Sequence, residues 1–309
     1  MVTGQTRQDR PARTGRGDTV SIVAGEFPMT EADFLKIADM LYKDAGIHLS
    51  PSKTDLVYSR LSKRLRTLGI ASFKDYCALV ADSSNAGERM TMLASLTTNV
   101  THFFREKHHF DHLREHLLPP LLQAARQGER VRLWSAGCST GHEPYSMAMT
   151  LLAMMPNAAS HDIRILATDI DPNVVATGRA GIYGASDLGG VPAEYRRRWF
   201  RPAPPIAGTG RGGTDEMDFE VVDAMRDLVV FRELNLIGQW PMKGRFDAIF
   251  CRNVTIYFDQ QTRERVWKRF AERIQPGGYL YVGHSERLGG PATAVLTYES
   301  NTSYRKTGA

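Results

Sequence analysis

Val131-Arg132-Leu133-Trp134-Ser135-Ala136-Gly137-Cys138-Ser139-Thr140-Gly141-His142-Glu143-Pro144 is an apolar run of strand length, then a glycine loop, then the opening of a helix. Pro144 suits a first helical turn, and Gly137 and Gly141 permit close approach of backbone to a ligand. In open α/β sheets ligands sit beyond the carboxyl ends of the strands, where such a loop lies. The dinucleotide pattern G-x-G-x-x-G fails, because a frame opening at Gly137 needs glycine where Ser139 and His142 stand. That disfavours a dehydrogenase.

Outward from this segment, apolar runs of strand length alternate with helical patterns, the mark of a parallel sheet covered on both faces. Strands are expected at 131–136, 163–168, 246–251 and 278–283, and helices near 143–155, 172–180 and 260–274. Residues 182–235 interrupt the alternation with a Gly/Pro-rich loop (202–213) and short apolar runs at 219–222 and 228–231. They read as an antiparallel insertion on the main sheet. The second strand ends in Thr168-Asp169-Ile170-Asp171, and an acid there accepts both ribose hydroxyls while repelling a 2′-phosphate. With no Walker lysine or phosphate clamp, the most compatible cofactor is S-adenosylmethionine, which has adenosine but no phosphates. Taken alone, the loop also reads as an ordinary glycine turn with a capping acid.

Upstream, residues 1–25 carry Arg7, Arg10, Arg13 and Arg16 with few large apolar side chains, as a disordered tail does. From Thr30 the pattern is helical. Thr30-Glu31-Ala32-Asp33 forms a capping signature, Phe34, Ile37, Ala38 and Leu41 follow at helical spacing, and Gly46 stops the helix. A second helix over 53–68 has Leu61, Leu65 and Leu68 as its apolar stripe and Gly69 as its terminator, with Lys53, Arg60 and Arg64 on another face. Ser72 caps a third helix bearing Phe73, Tyr76 and Leu79, and a fourth bears Met90, Leu93 and Leu96. The organisation expected is a helical domain over 26–98 and an α/β domain over 99–309, within the capacity of 309 residues.

Lys and Arg number 39 against 34 Asp and Glu, a net charge of +5 that favours acidic partners without identifying them. No run approaches the length of a membrane span and no secretory signal is evident, so a cytoplasmic location is expected. Cys77, Cys138 and Cys251 are far apart and form no metal or disulfide pattern. His108, His112 and His116 recur every four residues, spacing that suits a metal ligand set. A polar helical face with Asp111, Arg114 and Glu115 interspersed explains the run equally, and no metal is expected.

Four segments join the glycine loop: Thr97-Thr98-Asn99-Val100-Thr101-His102-Phe103-Phe104-Arg105-Glu106, Ser139-Thr140-Gly141-His142-Glu143-Pro144-Tyr145-Ser146, Asn235-Leu236, and Cys251-Arg252-Asn253-Val254-Thr255-Ile256-Tyr257-Phe258. Together they resemble the CheR family of chemotaxis receptor-glutamate methyltransferases, in the family's order and at similar spacing over nearly all of 30–306. The resemblance implies a Rossmann-like class I methyltransferase sheet with a small β-subdomain, preceded by a small all-helical domain. It implies donor contacts at Asn99, Thr101, Arg105, Glu143, Asp169, Asn235, Leu236, Arg252 and Asn253, beside the glycines 137 and 141. Glu143 would face the cationic methionine end, and Asn235 and Leu236 the adenine. Two positions depart from the family's pattern: it commonly has an acid at His142 and a bulky apolar residue at Thr255. Glu143 and Tyr257 are retained, so tuning of the site is expected, not loss.

The activity implied is transfer of methyl from S-adenosylmethionine to glutamates on chemoreceptor cytoplasmic domains, leaving S-adenosylhomocysteine. Neither nucleic acid nor membrane insertion is expected. A glutamate is ionised at neutral pH, so no base is required. The enzyme must dehydrate and align it, and positioning contributes up to about 7–11 kcal/mol. Arg105 or Arg252 is suited to hold the incoming acid and Tyr257 to orient it, unless Tyr257 is a core aromatic beside Phe258. Lys53, Arg60 and Arg64 suit a glutamate-rich receptor helix, or are merely a solvated face. The insertion offers a strand edge to a receptor tail, a use known in the family. One rival is a methyltransferase acting on RNA or a small molecule, but base methylation usually goes with an N/D-P-P-Y-like motif where Arg252-Asn253-Val254-Thr255 stands. The other is a non-catalytic donor-binding regulator, against which retention of Arg105, Asp169, Arg252 and Tyr257 argues.

Overall fold

The computed structural model describes residues 20–203 and 217–307. The tail expected over 1–25 and the loop expected over 202–213 lie largely outside the described residues. The chain divides into two compact units, one ending at Met40 and resuming over Leu49–Leu96, the other comprising Leu41–His48 and Thr97–Ala309.

The first unit is helical: α1 (Glu31–Ala45, its last turn belonging to the second unit), α2 (Thr54–Leu68), α3 (Phe73–Ala81) and α4 (Ala86–Leu96). Thr30 Oγ1 accepts from the Asp33 amide at 3.2 Å and the Asp33 carboxylate accepts from the Thr30 amide at 3.0 Å, a reciprocal cap. Ser72 caps α3 through the Asp75 amide, and Gly69 ends α2 in the left-handed conformation. The apolar stripes sit slightly off the expected ones. On α2, Val57, Leu61 and Leu65 are buried at strict i, i+4, i+8 spacing, whereas Leu68 in the last turn is exposed. On α3 Val80 is buried and Leu79 only half so. On α4 Met92 is buried and Met90 exposed. Lys53 lies in a 3₁₀ turn (Pro51–Lys53) ahead of α2, so the basic stripe begins before the helix.

The second unit opens with α5 (His108–His112), which passes through a π-helical turn (Leu113–Leu117) into α6 (Leu118–Arg126). Then come β1 (Val131–Ala136), α7 (His142–Met154), β2 (Ile163–Asp169), α8 (Pro172–Ala180), β3 (Ile182–Gly184), α9 (Ala193–Trp199), β4 (Phe200–Ala203), β5 (Asp218–Val221), α10 (Asp223–Arg226), β6 (Val229–Glu233), β7 (Phe246–Cys251), α11 (Gln260–Arg273), β8 (Ile274–Val282), β9 (Leu296–Ser300) and β10 (Ser303–Lys306). The main sheet has the order β6-β2-β1-β7-β8-β10-β9, parallel from β6 to β8, with β10 and β9 antiparallel at one edge. Strand order reverses at β1, between β2 and β7, so the crevice lies beyond the ends of β1 and β7.

The expected insertion needs correction. Strands β3, β5 and β4 form a separate antiparallel sheet, but the apolar run at 228–231 belongs to β6, which pairs in parallel with β2 on the main sheet. The insertion therefore closes near Val221 and not at 235. A short buried run carries no local sign of which strand it joins. Both faces of the main sheet are covered. Leu133, Ala248, Phe250 and Tyr281 pack with α6 and α7, while Trp134, Ile249, Cys251 and Leu280 pack with Val266, Trp267 and Phe270 of α11.

Candidate active site

Beyond β1 the backbone turns back on itself. The amides of Gly137 and Cys138 both donate to the Thr168 carbonyl, at 2.7 and 2.9 Å, tying the loop to β2. Gly137 has φ +88°, and a Cβ there would lie 2.3 Å from Val254 Cγ2. Gly141 has φ +90°, and a Cβ there would lie 2.8 Å from the Tyr183 hydroxyl and 2.9 Å from Gly178 Cα. The glycines are thus required by the approach of neighbouring protein segments, a tighter reason than the ligand approach expected from sequence.

An open cleft of about 1220 Å³, solvent at its mouth included, lies here within the second unit. All expected donor contacts except Gly141 line it, as does Tyr257. Its size suits a cofactor as large as S-adenosylmethionine. Asp169, at the end of β2, accepts from the Ser139 amide (2.8 Å) and the Asp171 amide (3.1 Å). A carboxylate has four acceptor positions, so two amides leave capacity for a ribose diol. Burial pushes the Asp169 carboxyl above the usual carboxylate range, against the pull of those amides. Asn99 is fixed from both sides: its side chain donates to Asp171 at 3.2 Å and its carbonyl accepts from Ser139 Oγ at 3.1 Å. Thr101 lines the same wall.

Glu143, in the first turn of α7, accepts from Ser135 Oγ at 2.7 Å and from Arg252 Nη1 at 3.0 Å. Burial also raises its carboxyl, although Arg252 and Ser135 oppose the rise. The Arg252 side chain is only 2% exposed, pairs in addition with Glu106 at 3.3 Å, and donates to the Arg105 carbonyl. It is therefore committed between two acids. Arg105, by contrast, is only half-buried, and its guanidinium donates to the Val100 carbonyl at 2.8 Å. Glu106, which no motif marks, is the second partner. Burial works to raise its carboxyl, but Arg252 and hydrogen bonds from His284 hold it below the ordinary value.

Beyond β7, Asn253 takes φ +60° and Thr255–Tyr257 form a 3₁₀ turn. Glu286, buried at 3% exposure, clamps this segment. Its carboxylate accepts from the amides of Gly283 (2.6 Å), Asn253 (2.7 Å), Val254 (3.2 Å) and Thr255 (2.8 Å), and from Thr255 Oγ1 (2.7 Å). Sequence reading missed this residue; the only signal was an acid closely following the last core strand. It also explains the Thr255 departure, since an apolar residue there supplies no hydroxyl. His142, the other departure, is buried against Phe103 and Tyr183, with Nδ1 3.0 Å from Thr140 Oγ1. It props the loop from beneath.

The adenine-end pair is partly structural. Asn235 Nδ2 donates to the Asp44 carbonyl at 2.5 Å, its Oδ1 accepts from Ile237, and Leu236 is buried. The His48 amide donates to the Tyr257 carbonyl at 2.8 Å and Ile47 bridges to Phe258, which brings Ala45 and Ile47 into the lining. No sequence motif announced them.

The basic residues of the helical unit are partly engaged. Arg64 makes a two-pronged pair with Glu88, Arg60 donates to the Leu96 carbonyl at 2.9 Å, and Lys53 is exposed. The histidine run does not converge. His112 and His116 meet with ring centroids 4.7 Å apart and tilted by 44°, while Glu106, His108 and His109 bring ligand atoms within 4.8 Å of one another. Burial drives His109 down to about 3, and its Nε2 lies 2.9 Å from the Asn301 carbonyl, which requires a proton on Nε2 and a bare Nδ1. The guanidinium of Arg252, 3.3 Å from the same Glu106 carboxylate, repels a cation there.

Residues 99–304 match the family model described as CheR methyltransferase, SAM binding domain, and residues 32–97 match CheR methyltransferase, all-alpha domain. A probable chemotaxis protein methyltransferase of Rhizobium etli is 52% identical over 87% of this chain and 97% of its own length. Chemotaxis protein methyltransferase 2 of Pseudomonas aeruginosa is 42% identical over 85% of this chain and 89% of its own. The chemotaxis protein methyltransferase of Escherichia coli is 40% identical over 84% and 86% respectively.

Proposed function

The chain belongs to the CheR methyltransferase family, an S-adenosylmethionine-binding methyltransferase family, and on that premise we propose that it esterifies glutamate side chains on the cytoplasmic domain of a chemoreceptor. The observation that carries this reading is the cleft itself. Around one cavity at the switch point of the sheet lie a strand-end acid with spare acceptor positions (Asp169), a buried acid–arginine pair (Glu143 and Arg252) and a half-buried arginine (Arg105).

S-adenosylmethionine supplies a methyl group already activated by its sulfonium charge. The acceptor carboxylate oxygen forms a bond to that carbon as the carbon–sulfur bond breaks, the electron pair staying on sulfur; no proton moves. The protein's part is binding and alignment. Asp169 takes the ribose hydroxyls. Glu143, its remaining acceptor capacity facing the cleft wall, takes the amino group at the methionine end. Asn235 and Leu236 border the adenine, and Asn99, Thr101 and Asn253 complete the wall. Arg105 meets the incoming carboxylate and Tyr257 orients it. Arg252 positions Glu143 and serves the reaction through it. Lys53, Arg60 and the arginine face around Arg64 give an acidic receptor helix its first electrostatic contact.

No described helix is long and apolar enough to cross a membrane, and the workplace proposed is the cytoplasm, where the receptor domain lies. The test is methyl transfer from labelled donor to purified receptor cytoplasmic fragments, run beside RNA. Label on the fragment supports the reading, and label on RNA alone overturns it.

A further inference from the structure

His112 ends α5, and the helix continues through the π-helical turn that carries His116. Such turns are rare and occur mostly at functional sites. The even spacing of His108, His112 and His116 conceals a division: His108 lies with Glu106 and His109, whereas the acid that meets His112 comes from the edge strand β9. The His112 ring packs edge-on against two tyrosines of β8, its centroid 4.8 Å from that of Tyr279 and 5.6 Å from that of Tyr281. Its side chain is only 10% exposed. Nδ1 lies 3.0 Å from the Tyr281 hydroxyl, but Nε2 is shut off from water without a hydrogen-bond partner. Glu299 Oε1 approaches Nε2 only to 3.8 Å, too far for a hydrogen bond. The Tyr279 hydroxyl reaches both oxygens of that carboxylate, at 3.1 and 3.0 Å, and holds it facing His112. A buried polar nitrogen left unpaired is costly, and an ion is one of the groups that relieves it.

We propose that His112, His116 and Glu299 form a site for a divalent transition cation of zinc's class. Two histidines four positions apart on a helix and a carboxylate from another element make a ligand set that zinc takes, with water in the fourth position. Ligands on a tetrahedral zinc ion stand about 3.3–3.5 Å apart, so the 3.8 Å between Nε2 and Oε1 closes with a small shift. His116 is exposed, its ring centroid 4.7 Å from that of His112, and it turns to present a nitrogen without disturbing the core. The outer hydrogen bonds that orient ligands are in place: His112 Nδ1–H donates to Tyr281, which leaves the Nε2 lone pair free, and Tyr279 steadies Glu299. Burial and the neighbouring His116 hold His112 below the usual imidazole range, so it is neutral, the form that ligates. Arg114, in the same turn, is tied to Asp111 at 3.2 Å and Glu115 at 2.5 Å, which offsets its repulsion of a cation. None of the three ligands lines the donor cleft. The cation braces the helix that follows Arg105 and Glu106 against the edge of the sheet, and takes no part in methyl transfer.

The experiment uses the full untagged chain, stripped with a chelator and titrated with zinc ion against a competing indicator. Binding of one equivalent at about micromolar Kd is expected, with magnesium ion, which prefers oxygen ligands, binding at least about a hundredfold more weakly. Zinc at about a hundred times its Kd is expected to raise the Tm by about 5 °C. Cobalt ion in its place is expected to show the visible absorption of a tetrahedral site. His112→Gln removes the buried ligand and is expected to weaken zinc about a hundredfold. Because that position is buried, His116→Ala and Glu299→Gln, both at exposed positions, carry the test independently: each is expected to weaken zinc about tenfold or more, while His108→Ala leaves it within about twofold. A wild type that binds zinc no tighter than about 100 µM overturns the site. So does zinc affinity within about twofold of wild type in both His116→Ala and Glu299→Gln, or a loss in His108→Ala as large as theirs, which marks adventitious binding along the histidine run.

Discussion

Thr255 donates its hydroxyl to the Glu286 carboxylate across 2.7 Å, and both residues are buried, at 0% and 3% exposure. Four backbone amides reach the same carboxylate, so one side chain holds the turn that carries Asn253 and Tyr257 into the cleft. Thr255→Val keeps the shape and removes one bond to a charged group, at a cost of about 1–3 kcal/mol. Thr255→Ser keeps the bond and costs about 1 kcal/mol for the lost methyl. Glu286→Ala strands the donors together and costs more than about 3 kcal/mol. Urea unfolding of the three variants checks the order; a Thr255→Val protein as stable as wild type contradicts the clamp.

Arg252 bridges Glu143 and Glu106 almost out of reach of water. Removing one partner of a buried ion pair leaves uncompensated charge, and Arg252→Ala is expected to cost about 3–5 kcal/mol of stability. Arg252→Lys keeps a charge but not the fork that reaches both acids, and its donor affinity is expected to remain well below wild type. Unfolding and calorimetry together separate the two effects. Wild-type donor affinity in Arg252→Lys shows that the fork is not needed.

Asp169 accepts from the amides of Ser139 and Asp171, and its spare acceptor positions are the ones the proposed function gives to the donor ribose. Asp169→Ala is expected to weaken S-adenosylmethionine and S-adenosylhomocysteine alike by about tenfold or more, because both carry the same ribose. Calorimetry on folded protein reads this. Unchanged affinity removes Asp169 from the site.

Burial holds the carboxyls of Glu143 and Asp169 above their ordinary values. Each therefore binds more protons folded than unfolded in the window just above the ordinary carboxyl pKa of about 4, and its contribution to stability falls as pH rises through that window. For ligand binding the sign is opposite, since the cationic donor needs Glu143 ionised. S-adenosylmethionine affinity is expected to fall as pH is lowered from neutrality toward the carboxyl range, more steeply than in Glu143→Gln. A flat titration in the wild type contradicts this.

The part of the site that lies next to a pattern was legible in the sequence. The loop after β1 was found from a strand followed by glycines, and Asp169 from an acid at the end of the next strand. Contacts between distant residues were not. Glu286 lies over thirty positions from the turn it grips, no spacing relates Arg64 to Glu88, and the close approach of Val254 to Gly137 is visible only once β1 and β7 are neighbours. The apolar run at 228–231 reads as part of the antiparallel insertion but forms β6, parallel to β2, because pairing is decided by the surface a strand meets and not by its own residues. The hairpin of β9 and β10 escaped for a similar reason: it is an edge, with Tyr298 exposed, and shows little apolar alternation.

The most direct test of receptor-glutamate esterification is the chemistry of the bond made. Receptor cytoplasmic fragment is labelled from methyl-tritiated S-adenosylmethionine, treated with mild alkali, and mapped by peptide mass spectrometry. Release of the label as volatile methanol, with the modification on glutamates, is the predicted result. Label that survives alkali, or that resides on a nitrogen or on RNA, contradicts it.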